Sequence, residues 1–237
     1  MRLYIIRHAE PDYENQTITE AGHREAAALA DGLAPLGLDR IFCSPKGRAL
    51  DTMRYTADRV HLEPVVEEWL QEWPHWYVDT AQAGRMAVWD VPGELIRGQG
   101  ELPTRETWHE TPPLDEPVFR EQFADVRAHS DDFLRRLGYE RVEGRYRAAA
   151  PTEERIAVFC HMGLGLVWLA HLLEFPLSLV WSGFWLPPSS VTTVVWERRS
   201  AEWAVPRCLG VGDVSHLAAA GLPVSPSGLH SGEDGAA

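Results

Sequence analysis

Apolar positions along the chain follow two periods. Leu3-Tyr4-Ile5-Ile6, Ile41-Phe42-Cys43 and Ile156-Ala157-Val158-Phe159-Cys160 are short, unbroken apolar runs, the pattern of strands buried on both faces. Each stops at a polar group: Arg7-His8-Ala9-Glu10, Ser44-Pro45-Lys46-Gly47-Arg48 and His161-Met162-Gly163. Helical periods lie between them. Thr19 is placed to cap a helix over about 20–33, and a second helix after Ser44-Pro45 carries Arg48, Met53 and Ala57. Val118, Phe119, Phe123, Val126, Phe133, Leu134 and Leu137 recur at three- and four-residue steps through an amphipathic helix. His161 opens a helix reaching about Leu173, and Val191 to Trp196 reads as a later strand.

This alternation predicts an α/β domain over residues 1–220. Over about 73–117 the periodicity is lost while proline, glycine and tryptophan rise, which predicts an insertion over the sheet rim, a candidate lid. Residues 221–237, rich in Gly, Ser, Pro and Ala, are expected to be a disordered tail. In open α/β sheets, ligands bind beyond the carboxyl ends of the strands. The three polar stops therefore predict one site holding two arginines and two histidines, and a phosphoryl group is the simplest common target.

Composition narrows the partners. The 237 residues are 45% hydrophobic with a formal charge of −13, which argues against nucleic acid or an anionic membrane as a general partner. Cys43, Cys160 and Cys208 are odd in number, with no Cys-x-x-Cys pair, as in a reducing compartment. The chain enters a strand at once, without a signal-peptide pattern or a transmembrane stretch, so a cytoplasmic location is expected. The histidines lack metal-ligand spacing, and neither a phosphate-binding Gly-x-x-x-x-Gly-Lys loop nor a Gly-x-Ser-x-Gly elbow is present. No cofactor or metal is expected, and nothing fixes the oligomeric state.

Arg7-His8-Ala9-Glu10, Ile18-Thr19-Glu20-Ala21-Gly22, Ser44-Pro45-Lys46-Gly47-Arg48-Ala49-Leu50-Asp51-Thr52 and His161-Met162-Gly163 occur in an order that resembles the histidine phosphatase superfamily, of phosphoglycerate mutase-like fold. Gly212-Asp213-Val214-Ser215-His216-Leu217 is similar to an uncharacterised bacterial branch. The resemblance implies a three-layer α/β/α sandwich with a mostly parallel central sheet and an inserted lid region. It also implies a phosphatase acting on a small phosphomonoester through a phosphohistidine on His8, with His161 in the catalytic set and Arg7 and Arg48 holding phosphate. The physical logic agrees: the two guanidiniums disfavour an imidazolium at His8 and suit phosphate geometry. Glu72, in Leu70-Gln71-Glu72-Trp73, is the expected proton donor by the resemblance, with Glu67 and Glu68 as competitors and Trp69, Trp73 and Trp76 nearby to desolvate it.

Two positions depart from the family pattern. Glu14 stands where the phosphate-binding asparagine is expected, which leaves Asn15, one place later, as the candidate. Met162 stands where glycine is common. A phosphomutase on the same site, or a catalytically weak phosphate-ligand binding or regulatory protein, are the alternatives. Trp76, Trp89 and Trp108 are candidates either for a pocket wall or for the insertion's own core, and His216 is left outside the catalytic set.

Overall fold

The computed structural model describes residues 1–73, 75–80, 84–98 and 100–229. In chain order the strands are β1 (Arg2–Arg7), β2 (Pro11–Asp12) and β3 (Thr17–Ile18), then α1 (Glu20–Leu33), β4 (Arg40–Cys43), α2 (Gly47–Val60) and β5 (Val65–Val66). The middle holds β6 (Tyr77–Thr80), β7 (Gly84–Ala87) and α3 (Gly93–Arg97). Next come α4 (Pro117–Arg136), β8 (Tyr139–Val142), β9 (Arg145–Ala148), β10 (Arg155–Cys160), α5 (Met162–Leu173) and α6 (Leu177–Trp181). The chain then adds β11 (Val191–Arg198), β12 (Trp203–Asp213) and α7 (Ser215–Ala219). As expected, the Thr19 hydroxyl caps α1, accepting from the Gly22 N–H at 3.0 Å.

The eight-stranded sheet has the order β5-β4-β10-β1-β11-β12-β9-β8. β5, β4, β10 and β1 are parallel neighbours, and β11, β12, β9 and β8 continue with antiparallel pairings. All but β11 and β9 therefore run in the direction of β1.

Side chains alternate across this sheet into two cores. Leu3, Ile5, Phe42, Ile156 and Val158 pack on the face covered by α4, α5 and α6, with Trp168 at its centre. Tyr4, Ile6, Ile41, Cys43, Ala157 and Phe159 pack on the opposite face under α1 and α2. This is the three-layer arrangement expected. Trp76, Val78, Val88, Ile96 and Trp108 join the α4–α5 core, so most of the insertion's apolar weight anchors it to the domain. Trp168 also donates to Ser130 Oγ at 2.8 Å, which satisfies the buried indole N–H.

Residues 221–229 of the expected tail do not extend from the domain. Ser225 is buried, and the Ser227 carbonyl accepts from Arg7 at 3.1 Å. Residues 230–237 lie outside the described residues.

Candidate active site

β1 and β10 are parallel neighbours with Arg7 paired to Cys160, and β4 follows with Cys43 opposite Phe159. Their carboxyl ends therefore bring His8, His161 and Ser44 together. The rings of His8 and His161 lie 5.1 Å apart, edge to face. The backbone around His8 is held on several sides: its N–H donates to Cys160 O at 3.0 Å and its carbonyl accepts from the Ser189 N–H at 3.0 Å. The next N–H, of Ala9, donates to Thr52 Oγ1 at 2.9 Å, and that hydroxyl donates to the Arg48 carbonyl at 2.7 Å. Thr52 thus fixes the loop after β1 to the first turn of α2, where Arg48 sits.

The two imidazoles are buried and neutral. Burial first, then the Arg7 and Arg48 guanidiniums, push His8 well below the usual histidine range. Nδ1 of His8 lies 2.7 Å from the Ala9 carbonyl and donates to it, which leaves the Nε2 lone pair to accept from Arg48 Nε at 3.1 Å. His161 is likewise pushed well down, by burial and then by His8 and the arginines. Its Nε2 is 2.8 Å from Ser44 Oγ, while Nδ1 is buried without a protein partner. With the Ser44 hydroxyl donating to Nε2, the Nδ1–H is free for a ligand.

Glu72 closes the opposite side. Its Oε2 accepts from Arg48 at 3.3 Å and its Oε1 from the Gly163 N–H at 3.0 Å, and the carboxyl is still partly exposed to the cleft. The competing carboxylates are placed elsewhere: Glu67 pairs with Arg136 at 2.8 Å and Glu68 is exposed. Arg7 is buried and turns one nitrogen to the carbonyls of Leu186, at 2.6 Å, and Ser227. Met162, whose side chain needed housing, is buried with its sulfur 3.6 Å from the same nitrogen.

Asn15 is not brought to this cleft. Its amide donates to Asp12 at 2.8 Å on the exposed turn between β2 and β3, a local Asx arrangement that satisfies the side chain where it stands. Glu14 is exposed beside it. The cleft, of about 410 Å³, is lined instead from that turn by Tyr13 and Gln16.

The insertion tryptophans divide. Trp76 and Trp108 are core, 2% exposed and each edge to face with Trp181, whereas Trp89 and Trp73 line the cleft. His216 lies in a separate cavity beside α1 and bonds Ser189 Oγ at 3.1 Å; burial pushes it down to about 4. Arg85 and Arg97 are exposed, and the exposed Arg105 is paired with Glu174. Thr52, Ser44 and Ser189 have positioning roles that no charge pattern marked.

Among the described residues, no group of His, Cys, Asp or Glu is arranged to hold a metal ion, and no helix is long and apolar enough to cross a membrane.

Comparison with known proteins identifies the family. The family model of the histidine phosphatase superfamily (branch 1) matches residues 3–207. The fold is similar to a phosphoserine phosphatase from Entamoeba histolytica, with a TM-score of 0.60, 18% identity and coverage of 91% of this chain and 98% of that one. It is also similar to a mycobacterial glucosyl-3-phosphoglycerate phosphatase (TM-score 0.54, 19% identity, 88% and 97% covered). An alpha-ribazole phosphatase from Shigella flexneri gives a TM-score of 0.55 at 15% identity, with 90% and 97% covered. No curated protein sequence matches the chain. The chain belongs to the histidine phosphatase superfamily.

Proposed function

We propose that this member of the superfamily hydrolyses a small phosphomonoester through a phosphohistidine on His8. The observation that carries the reading is the state of His8: a buried, neutral imidazole with Nδ1–H committed to the Ala9 carbonyl and a lone pair on Nε2 at the cleft. A nucleophilic imidazole needs that lone pair.

In the first step Arg48 turns its Nε–H from His8 to the phosphate, the freed Nε2 lone pair of His8 attacks phosphorus and the bond to the leaving oxygen breaks. Arg48, Arg7 and the Nδ1–H of His161 carry the charge on the transferring group, in a site already arranged for it. The phosphate displaces the carboxylate of Glu72 from Arg48. Glu72, carrying a proton taken from solvent, gives it to the leaving alkoxide. In the second step Glu72 takes a proton from water as the water attacks phosphorus, the P–N bond breaks and orthophosphate leaves. The Ala9 carbonyl holds the Nδ1–H throughout, supporting the positive charge on the phosphorylated ring.

Turnover of 4-nitrophenyl phosphate by the wild type, with His8→Ala alongside, tests the reading. Hydrolysis by the wild type that falls to the uncatalysed rate in the variant supports it. Hydrolysis undiminished in the variant, or none by the wild type with any phosphomonoester, overturns it.

A further inference from the structure

Lys46 is the only lysine among the 237 residues, beside 21 arginines, and it stands in the wall of the active-site cleft. Its backbone N–H donates to Ser44 Oγ, but its ammonium has no hydrogen-bond or ion-pair partner among the described residues, although the chain carries a net charge of −13. Lys46 is half-buried, not extended from an open surface. The loop carrying it is fixed: a Cβ on the next residue, Gly47, would stand 2.2 Å from the Gln16 carbonyl, so the β2–β3 turn presses directly on it. Arg7, Arg48 and His161 are the groups assigned above to the transferring phosphoryl group, and the Lys46 ammonium stands beside them, within electrostatic reach of His161.

The rest of the cleft is asymmetric. Its carboxylates, Glu72 and Asp90, belong to the stretch leading through the insertion; Glu72 is bound to Arg48, and Asp90 has an interaction of its own. Trp73, Tyr77 and Trp89 supply that same stretch with aromatic surface. Lys46 is thus an unneutralised cation at the cleft, separate in sequence from its acidic and aromatic lining.

We infer that Lys46 is a second anion subsite, which recognises a carboxylate or a second phosphate on the leaving group of the substrate. This rests on the phosphatase reading for its biological meaning, but binding measures it independently. A strongly hydrated point charge such as an ammonium accepts either anion, so the chemistry shared by both is a negative group a few bonds from the ester oxygen.

The test compares two ligand pairs by calorimetry on the His8→Ala protein, which cannot accept the phosphoryl group. One pair is 3-phosphoglycerate against glycerol 3-phosphate, and the other is fructose 1,6-bisphosphate against fructose 6-phosphate. At least one extra anion is expected to tighten binding by about tenfold or more, the usual scale of a charged hydrogen bond. The pair that discriminates tells carboxylate from phosphate. The advantage should vanish with Lys46→Gln and persist with Lys46→Arg. Equal affinity within both pairs, or an advantage that survives Lys46→Gln, overturns the subsite. Failure of the wild type to turn over any of these esters counts against the phosphatase reading alone, because the affinity ratios are read without turnover.

Discussion

Trp89 of the insertion packs against Gly163, the second residue of α5, so closely that a Cβ at 163 would lie 2.3 Å from the nearest ring carbon. The same glycine donates its N–H to Glu72. One contact therefore joins the insertion, the helix that follows His161 and the candidate proton donor. Gly163→Ala is expected to cost about 1–3 kcal/mol of stability through overpacking and to lower kcat as Glu72 loses its fixed partner. Adding Trp89→Ala should restore most of the stability, which thermal unfolding of the single and double variants measures. A Gly163→Ala protein as stable as the wild type would show that the ring moves aside freely.

The pH behaviour of His8 follows from its surroundings. Burial and two guanidiniums hold it well below the unfolded value of about 6.5. The folded ring stays neutral at pH 6–8, and its contribution to stability is present above about 6.5 and falls as acid protonates the unfolded chain first. Replacing Arg48 by Gln removes one of the two cations and should move the His8 titration upward toward neutrality. Ring nitrogen shifts in an NMR titration report this directly, and an unchanged His8 titration would mean that Arg48 contributes little.

Glu72 is distinguished by the leaving group. Glu72→Gln should reduce hydrolysis of an alkyl phosphate by about 10²-fold or more, the usual scale of general acid catalysis. For 4-nitrophenyl phosphate, whose leaving oxygen needs no proton, a loss of roughly tenfold or less is expected. Steady-state kcat/KM for both esters checks this, and equal losses would remove Glu72 from the proton-transfer role.

Glu25, on α1, is a buried carboxyl that accepts from the Glu10 N–H at 2.8 Å, and burial raises it to about 7. A raised folded value means the folded state holds the proton longer, so stability is greatest below about 4.5 and declines as pH rises through 7. Glu25→Gln keeps an acceptor for Glu10 and removes the buried charge. It should flatten that decline and stabilise the protein at pH 8 by up to about 3 kcal/mol, seen in denaturant melts at pH 5 and pH 8. A wild type equally stable at both, relative to the variant, would contradict the assignment.

β1, β4 and β10 were legible because strands buried on both faces read as unbroken apolar runs, and Arg7, His8 and His161 stood at the ends of β1 and β10, whereas the two exposed residues of β5 leave no such run. Of the antiparallel half only β11 was legible, read from Val191 to Trp196. β12 carries Pro206 and Gly210 and is largely polar or exposed along its outer face, so it lacks the run that betrays β1 or β10. The β8–β9 hairpin turns on Glu143, which adopts a positive φ of 56° without the Asn-Gly signal of such turns. Asn15 was misplaced because spacing from His8 says nothing of the Asp12 side chain that holds it. Glu72 was chosen over Glu67 and Glu68 by the resemblance alone, since no period separates these carboxylates; what the sequence does not mark is the Arg136 side chain that pairs with Glu67. The return of residues 221–229 to Arg7 rests on one backbone carbonyl, that of Ser227, which composition does not mark.

The most direct test of the account is rapid-quench mass spectrometry of the wild type during turnover, with peptide mapping of any phosphoryl adduct. The account expects an acid-labile, base-stable phosphoryl group on His8 that forms and decays at the rate of turnover and is absent from His8→Ala. Turnover with no adduct at His8, in a protein whose activity survives His8→Ala, would contradict it.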